Sequence, residues 1–250
     1  MSSDPSTASE SGSQAKRKSA LSRWAPIALA AILGITACAL SFRYDAAVRD
    51  AIEASQGKKF KKTVQHQVLS GISRYGDWPQ LMVLGGIGIG FATWRKRRDW
   101  IRVIAAAMIA STLAGVVANS SRLTTGRPRP RDEAKVGAGW YGPWKDGKIL
   151  IGNPSYNAFP SGHTATAFGF AVVFLLARPV LGVVIVALAG TIAYSRMALG
   201  AHHFSDVIVS VVLSSVVAVV CLRMVERHGD EWTQTVRAWW KRHCGTAADT

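Results

Sequence analysis

Val180-Leu-Gly-Val-Val-Ile-Val-Ala-Leu-Ala-Gly-Thr-Ile-Ala193 carries no charged residue and no polar stripe at helical period. A helix buried inside a soluble all-α protein would run shorter between polar residues and show such a stripe on one side. The stretch therefore reads as a helix solvated by lipid. Five other runs have the same character, which gives six expected spans: Trp24–Phe42, Trp78–Trp94, Trp100–Asn119, Ala158–Ala177, Val180–Leu199 and Val207–Val225. Crossing a hydrocarbon core about 30 Å thick takes about 20 mostly apolar residues, and only the second run falls visibly short. The expected fold class is all-α, a polytopic membrane protein with six transmembrane helices. Its expected domains are a disordered cytoplasmic tail at 1–22, a membrane domain at 23–228, and a basic, Trp-rich cytoplasmic tail at 229–250.

A net charge of +15 raises the question of nucleic acid. The basic residues sit in short clusters between apolar runs rather than along one face, so anionic headgroups and phosphate are the better partners and no nucleic-acid role is expected. Lys16–Lys18, Arg95–Arg98, and Arg223 with Arg227 abut span ends, where basic residues mark the cytoplasmic side. Both termini are expected inside. Totals alone do not discriminate, because Lys58, Lys59, Lys61 and Lys62 fall in the first outside loop and further basic residues in the second.

Residues 1–20 are Ser-rich and polar, the composition of a disordered tail. Ile35-Thr36-Ala37-Cys38 loosely resembles a processing box, but the apolar run is long for a signal core and its polar leader extended, so a retained anchor is expected. Cys38 and Cys221 lie within apolar runs and Cys244 in the tail, and no disulfide framework is visible. Phe60, Val64, Val68, Leu69 and Ile72 have spacings that fit one face of an interfacial helix, with a plain connecting loop as the alternative. Gly86 and Gly90, and Ala107, Ser111 and Gly115, provide small faces for close helix approach. The Gly85–Gly90 run is not a nucleotide loop, since the preceding strand and the phosphate-loop Lys-Ser/Thr are both absent. Trp232, Val236, Trp239 and Trp240 among basic residues suit a surface-lying C-terminal segment.

Three short blocks fall at one membrane face in this topology. They are Arg122-Leu-Thr-Thr-Gly-Arg-Pro-Arg129-Pro130, Pro160-Ser161-Gly162-His163, and Ser195-Arg196-Met-Ala-Leu-Gly-Ala-His202-His203-Phe-Ser-Asp206. An arginine at the bilayer centre would cost about 2.5–3.5 kcal/mol on insertion scales, so these are expected at the outer boundary, facing a polar cavity. A guanidinium fork grips two phosphate oxygens at once. Ser161 adds a hydroxyl, and Gly162 lets a backbone N–H approach an anion at a helix N-terminus. His202 and Asp206 lie four residues apart, on one helix face if the helix starts before them. A carboxylate accepting a proton from one imidazole nitrogen leaves the other free to attack phosphorus. His163 can protonate the leaving oxygen and then activate water. Arg127 and Arg131 read as solvated loop charges, and His203 as a bystander.

The blocks resemble the three-part signature of the type-2 phosphatidic acid phosphatase and vanadium haloperoxidase superfamily: Lys-x6-Arg-Pro, Pro-Ser-Gly-His, and Ser-Arg-x5-His-x3-Asp. The resemblance covers roughly Ser73 to Val225, with one departure, Arg122 in place of lysine. It implies the six-helix core of the lipid phosphatase branch. It also implies a phosphohistidine on His202, His163 as general acid, Asp206 as orienting carboxylate, phosphate contacts from Arg122, Arg129, Ser161, Gly162 and Arg196, and neither metal nor cofactor. The expected activity is hydrolysis of a lipid phosphate or diphosphate such as phosphatidate, phosphatidylglycerophosphate, a polyprenyl diphosphate or lipid A. The expected place is the non-cytoplasmic face of the inner membrane. Six spans argue against the larger, soluble haloperoxidases. The alternative from another class is a lipid-binding or lipid-translocating protein with a relic site, against which both histidines and the aspartate survive. The loop from Arg131 to Phe159 carries Trp140, Tyr141, Trp144, Tyr156 and Phe159, suited to the headgroup level or to covering the site.

Overall fold

The computed structural model describes residues 5–57 and 59–244. Among the described residues eight α-helices follow in order: α1 (Pro5–Gln56), α2 (Val64–Tyr75), α3 (Trp78–Trp94), α4 (Arg98–Thr125), α5 (Glu133–Val136), α6 (Gly162–Ala177), α7 (Pro179–Ala198) and α8 (Phe204–Cys244). A minimal hairpin, β1 (Trp144–Lys145) with β2 (Lys148–Ile149), sits in the loop between α5 and α6. Helix α6 is the centre of the bundle, packed by α4, α7 and α8. Its approach to α4 is close because Gly169 faces the Ala110 backbone, where a Cβ would come within 2.9 Å of the Ala110 carbonyl oxygen. Ala107, Ser111 and Gly115 lie on the same buried side of α4, as their spacing suggests.

The outside of the bundle is apolar. Ile32 and Ile35 on α1, Val83 and Ile87 on α3, and Val180, Val183 and Leu188 on α7 are exposed. Apolar surface this extensive needs lipid to cover it. Among the described residues four helical segments are long and apolar enough to cross a membrane: Ala25–Gln56, Arg98–Thr125, Pro179–Ala198 and Phe204–Gly229. The chain is a multi-pass membrane protein. The other two expected spans are helices of 17 and 16 residues, α3 and α6. At about 1.5 Å per residue they reach only ~24–26 Å, short of a core about 30 Å thick. Helix α6 starts later than expected because Pro160 and the Ser161 cap hold Ala158–Ser161 out of the helix.

Several local expectations are revised. Helix α1 continues beyond Phe42 through residues read as a polar loop, because Asp45 and Arg49 find partners in Arg127 and Glu133. At its start it runs back to Pro5, through a stretch whose composition suggests a tail but holds no proline between Pro5 and Pro26. Helix α8 similarly extends to Cys244, while residues 1–4 and 245–250 lie outside the described residues, as do the side chains of Lys16–Lys18, Trp232, Val236, Trp239 and Trp240. The segment after α1 forms α2, capped by Thr63, whose Oγ1 accepts from the His66 N–H at 3.2 Å. Leu69 of α2 is buried, and Val64 and Val68 are exposed. In α3 the glycines facing α4 are Gly85 and Gly88, against Met108 and Ile104, whereas Gly86 and Gly90 meet nothing within 4 Å. Cys38 and Cys221 are free thiols.

Candidate active site

The three sequence blocks meet at one end of the bundle, where α4 and α7 end and α6 and α8 begin. Helix α4 delivers Arg122 in its last turn and stops at Gly126, which is left-handed at φ 57°. A Cβ at Gly126 would lie 2.0 Å from the Gly142 carbonyl oxygen, so only glycine fits between this turn and the following loop. From there the chain runs extended beside the segment that leads into α6. The Ala158 N–H donates to the Arg127 carbonyl at 3.0 Å and the Arg129 N–H to the Ser155 carbonyl at 2.9 Å. The Arg122 Nε–H donates to the Pro160 carbonyl at 2.8 Å. One backbone bond thus fixes the guanidinium against the start of α6, where a Cβ at Gly162 would lie 2.9 Å from Arg122 Nη2.

His202 lies in the turn between α7 and α8 and is 1% exposed. Its Nδ1 is 2.6 Å from the Ala158 carbonyl oxygen. A carbonyl can only accept, so Nδ1 carries the hydrogen and Nε2 carries the lone pair. Nε2 is buried and has no hydrogen-bond partner. Burial, followed by the charges of Arg122 and Arg196 and then Arg129, holds the pKa of His202 well below the ordinary imidazole value, with the Ala158 bond acting in the opposite sense. The same influences favour the neutral ring, whose Nε2 lone pair is available to attack.

The expected hydrogen bond from His202 to Asp206 is replaced by this backbone bond. Asp206 Oδ2 stands 3.7 Å from His202 Nδ1 and instead accepts the His203 N–H at 2.7 Å. Asp206 is fully buried, and its other oxygen accepts from Arg127 Nη1. It braces the backbone that carries His202 and lays a negative charge beside the ring.

Arg196, Ser161 and His163 are each anchored through part of the side chain. Arg196 Nη1 donates to the hydroxyl of Ser73 on α2. Three buried guanidinium nitrogens, Arg122 Nη2, Arg129 Nε and Arg196 Nε, have no partner. Burial pulls the Arg129 pKa down, as does the charge of Arg131, with Asp132 opposing. Ser161 caps α6, its Oγ accepting from Thr164 Oγ1 at 2.9 Å while its own hydrogen stays available to donate. His163 follows in the first turn of α6, with Nε2 3.3 Å from Asp77 Oδ2. Both border a cleft of about 500 Å³ lined also by Trp78, Thr112, Asn119 and Arg122. Buried donors without partners, gathered near a neutral imidazole, suit an anion with several acceptor oxygens. Among the described residues no group of three or more His, Cys, Asp or Glu could hold a metal ion.

Arg127 is not the solvated charge that its loop position suggests. It is 8% exposed, and its Nη1 donates to Ser205 Oγ at 2.8 Å and to Asp206. Nη2 pairs with Asp45 Oδ2 at 2.6 Å, and the guanidinium lies 4.7 Å from the Trp140 ring centroid. Asp45, which lies outside the three blocks, also accepts from the Ser205 N–H and hydroxyl, both at 2.7 Å. A charge at the edge of an apolar run was the available signal for Asp45. Arg131, by contrast, has a half-exposed side chain, as expected. His203 is buried, its Nε2 3.1 Å from the Pro128 carbonyl and 3.4 Å from Glu133. Burial and Arg127 lower its pKa, while the Pro128 carbonyl, Glu133 and Asp45 act the other way. Trp140 packs edge-on against Phe159 and near Phe42, so the aromatic part of the loop covers Arg127.

Relatives place these features in a wider group. A Mycobacterium tuberculosis protein named decaprenylphosphoryl-5-phosphoribose phosphatase is 29% identical over 154 residues, 60% of this chain and 75% of that one. A Rhizobium johnstonii lipid A 1-phosphatase is 33% identical over 95 residues, 38% of this chain and 36% of its own length. The fold is shared with a transmembrane PAP2-type phosphatidylglycerolphosphate phosphatase from Bacillus subtilis, at a TM-score of 0.53 and 20% identity, covering 82% of this chain and 97% of that one. The family model of the PAP2 superfamily matches residues 100–230, just over half of the chain and all three blocks. The chain belongs to the PAP2 superfamily.

Proposed function

We propose that the chain hydrolyses a lipid phosphate or diphosphate by transferring the phosphoryl group to Nε2 of His202 at the membrane–water interface. Membership of the family, with relatives named as phosphatases, makes it a phosphoric ester hydrolase acting on lipid phosphates. The observation that carries the mechanism is the His202 tautomer: Nδ1 is tied to the Ala158 carbonyl, and Nε2 is buried without a partner near three arginines with free donors. In the first step the Nε2 lone pair bonds to phosphorus. The bond from phosphorus to the lipid oxygen breaks, and His163 gives that oxygen its proton. In the second step His163 takes a proton from water, which attacks phosphorus and releases phosphate, restoring neutral His202. Arg122, Arg129 and Arg196, with the Ser161 hydroxyl and the Gly162 N–H at the start of α6, carry the charge that builds on the phosphoryl oxygens.

The proposed substrates are those whose phosphate can reach a site at the end of the bundle: phosphatidate, phosphatidylglycerophosphate, a polyprenyl diphosphate or lipid A. Phosphate release should continue in excess EDTA with at least one of them. Loss of activity in EDTA with recovery on adding magnesium would overturn the mechanism, and no release from any of the four would favour a relic site.

The site is proposed to face away from the cytoplasm of the inner membrane, with both termini cytoplasmic. The basic clusters support this: Arg95–Arg98 join α3 to α4 at the end of α4 opposite Arg122, and Arg223 and Arg227 lie far along α8 from Asp206, where basic residues beside spans mark the cytoplasmic side. A membrane-impermeant thiol probe should label a cysteine at Asn153 from outside, and one at Lys96 only after permeabilisation. The reverse pattern would place catalysis in the cytoplasm.

A further inference from the structure

The geometry points to Asp77 as the positioning residue that holds His163 and keeps it able to carry a proton, an inference that rests on the role proposed above for His163. Asp77 lies outside the three blocks and outside the matched residues 100–230. It caps α3 through Oδ1, which accepts the Trp78 N–H at 2.8 Å, and this leaves Oδ2 3.3 Å from His163 Nε2. The cap is itself anchored, because the Trp78 indole N–H donates to Thr112 Oγ1 of α4 at 2.9 Å. The carboxylate is thus fixed by its own helix and by the helix that carries Arg122.

The charges acting on His163 from the surrounding elements are Arg196 of α7, Arg122 of α4, Arg129 of the following loop, and Asp77. Burial opposes a protonated imidazole most, the three cations add to it, and Asp77 is the carboxylate that favours it. A carboxylate accepts only, so Asp77 Oδ2, 3.3 Å from Nε2, favours the ring form with hydrogen on Nε2 and leaves Nδ1 to exchange protons with the leaving oxygen and then with water. This places the working nitrogen on the side of the ring away from Asp77.

Two variants separate this role from helix capping. Asp77→Asn keeps a capping oxygen but loses the charge, and Asp77→Ser keeps a good cap and lacks the second oxygen. With a lipid phosphate, both should lose roughly 10²-fold in kcat, within the range that a positioned general acid supplies. The alkaline limb of the rate profile should move to lower pH, because removing an opposite charge lowers the pKa of the imidazolium. With a phosphate ester of nitrophenol, whose leaving group departs without a proton, the rate of phosphoenzyme formation should stay within about threefold of the unsubstituted protein. Equal losses on both substrates, or an unmoved alkaline limb, would show that Asp77 only caps α3. The unsubstituted protein, run alongside, separates the two readings. A phosphoenzyme there with unaffected Asp77 variants sinks the Asp77 inference alone, and no phosphoenzyme there sinks the histidine mechanism and this inference with it.

Discussion

Replacing Arg127 with methionine should destabilise the protein by about 3–5 kcal/mol, the usual cost of removing one member of a buried ion pair. The guanidinium is shared between Asp206 and Asp45, whose side chains are 0% and 14% exposed, so its loss leaves two carboxylates facing each other across Ser205. Attraction becomes repulsion between like charges in a region with little water. The stacking on Trp140 goes as well. Turnover should fall together with stability, because Asp206 holds the His203 N–H next to His202. Thermal unfolding in detergent checks the prediction. Neutralising the acids too, as Arg127→Met with Asp45→Asn and Asp206→Asn, should recover part of the lost stability. A change under about 0.5 kcal/mol in the single variant, the level of an ordinary surface substitution, would return Arg127 to the status of a solvated loop charge.

His202→Ala should lower turnover by roughly 10⁴-fold or more, since the first step then lacks its nucleophile. Its neighbour should behave differently. His203 contacts the Pro128 carbonyl and Glu133, so His203→Ala should lose about 1–3 kcal/mol of stability through an unsatisfied buried acceptor, while the folded fraction keeps turning over. Comparing kcat per folded molecule for the two variants separates the roles. Similar losses in both, or a larger loss in His203→Ala, would exchange the assignment.

What the sequence disclosed was local. The spacing within each block set Arg122 with Arg129, and Arg196 with His202 and Asp206, because a few residues along a helix or turn determine relative direction. The apolar runs announced a membrane bundle for the same reason. Partners distant in the chain stayed hidden: Asp45 and Arg127 meet across 82 positions, and Arg196 reaches Ser73 across 123. The acceptor that fixes His202 is the Ala158 carbonyl, a backbone atom that every residue type possesses and no motif records. Rotation about a helix axis was equally illegible. Gly85 and Gly88 face α4 where Gly86 and Gly90 were expected, because α3 is apolar on all sides and its composition does not distinguish a protein-facing stripe from a lipid-facing one. Span number suffered from length, since α3 and α6 fall at the margin where composition alone does not decide.

The central claim is that phosphorus bonds to Nε2 of His202 during turnover. Rapid mixing of the unsubstituted protein with a radiolabelled lipid phosphate, followed by quenching in alkali and mapping of the labelled peptide, tests it directly. The expected product is an acid-labile, alkali-stable phosphohistidine on Nε2 of His202, formed and consumed as fast as phosphate is released. Label on Nδ1 of His202, on His163 or His203, or on an alkali-labile aspartyl phosphate would contradict the account.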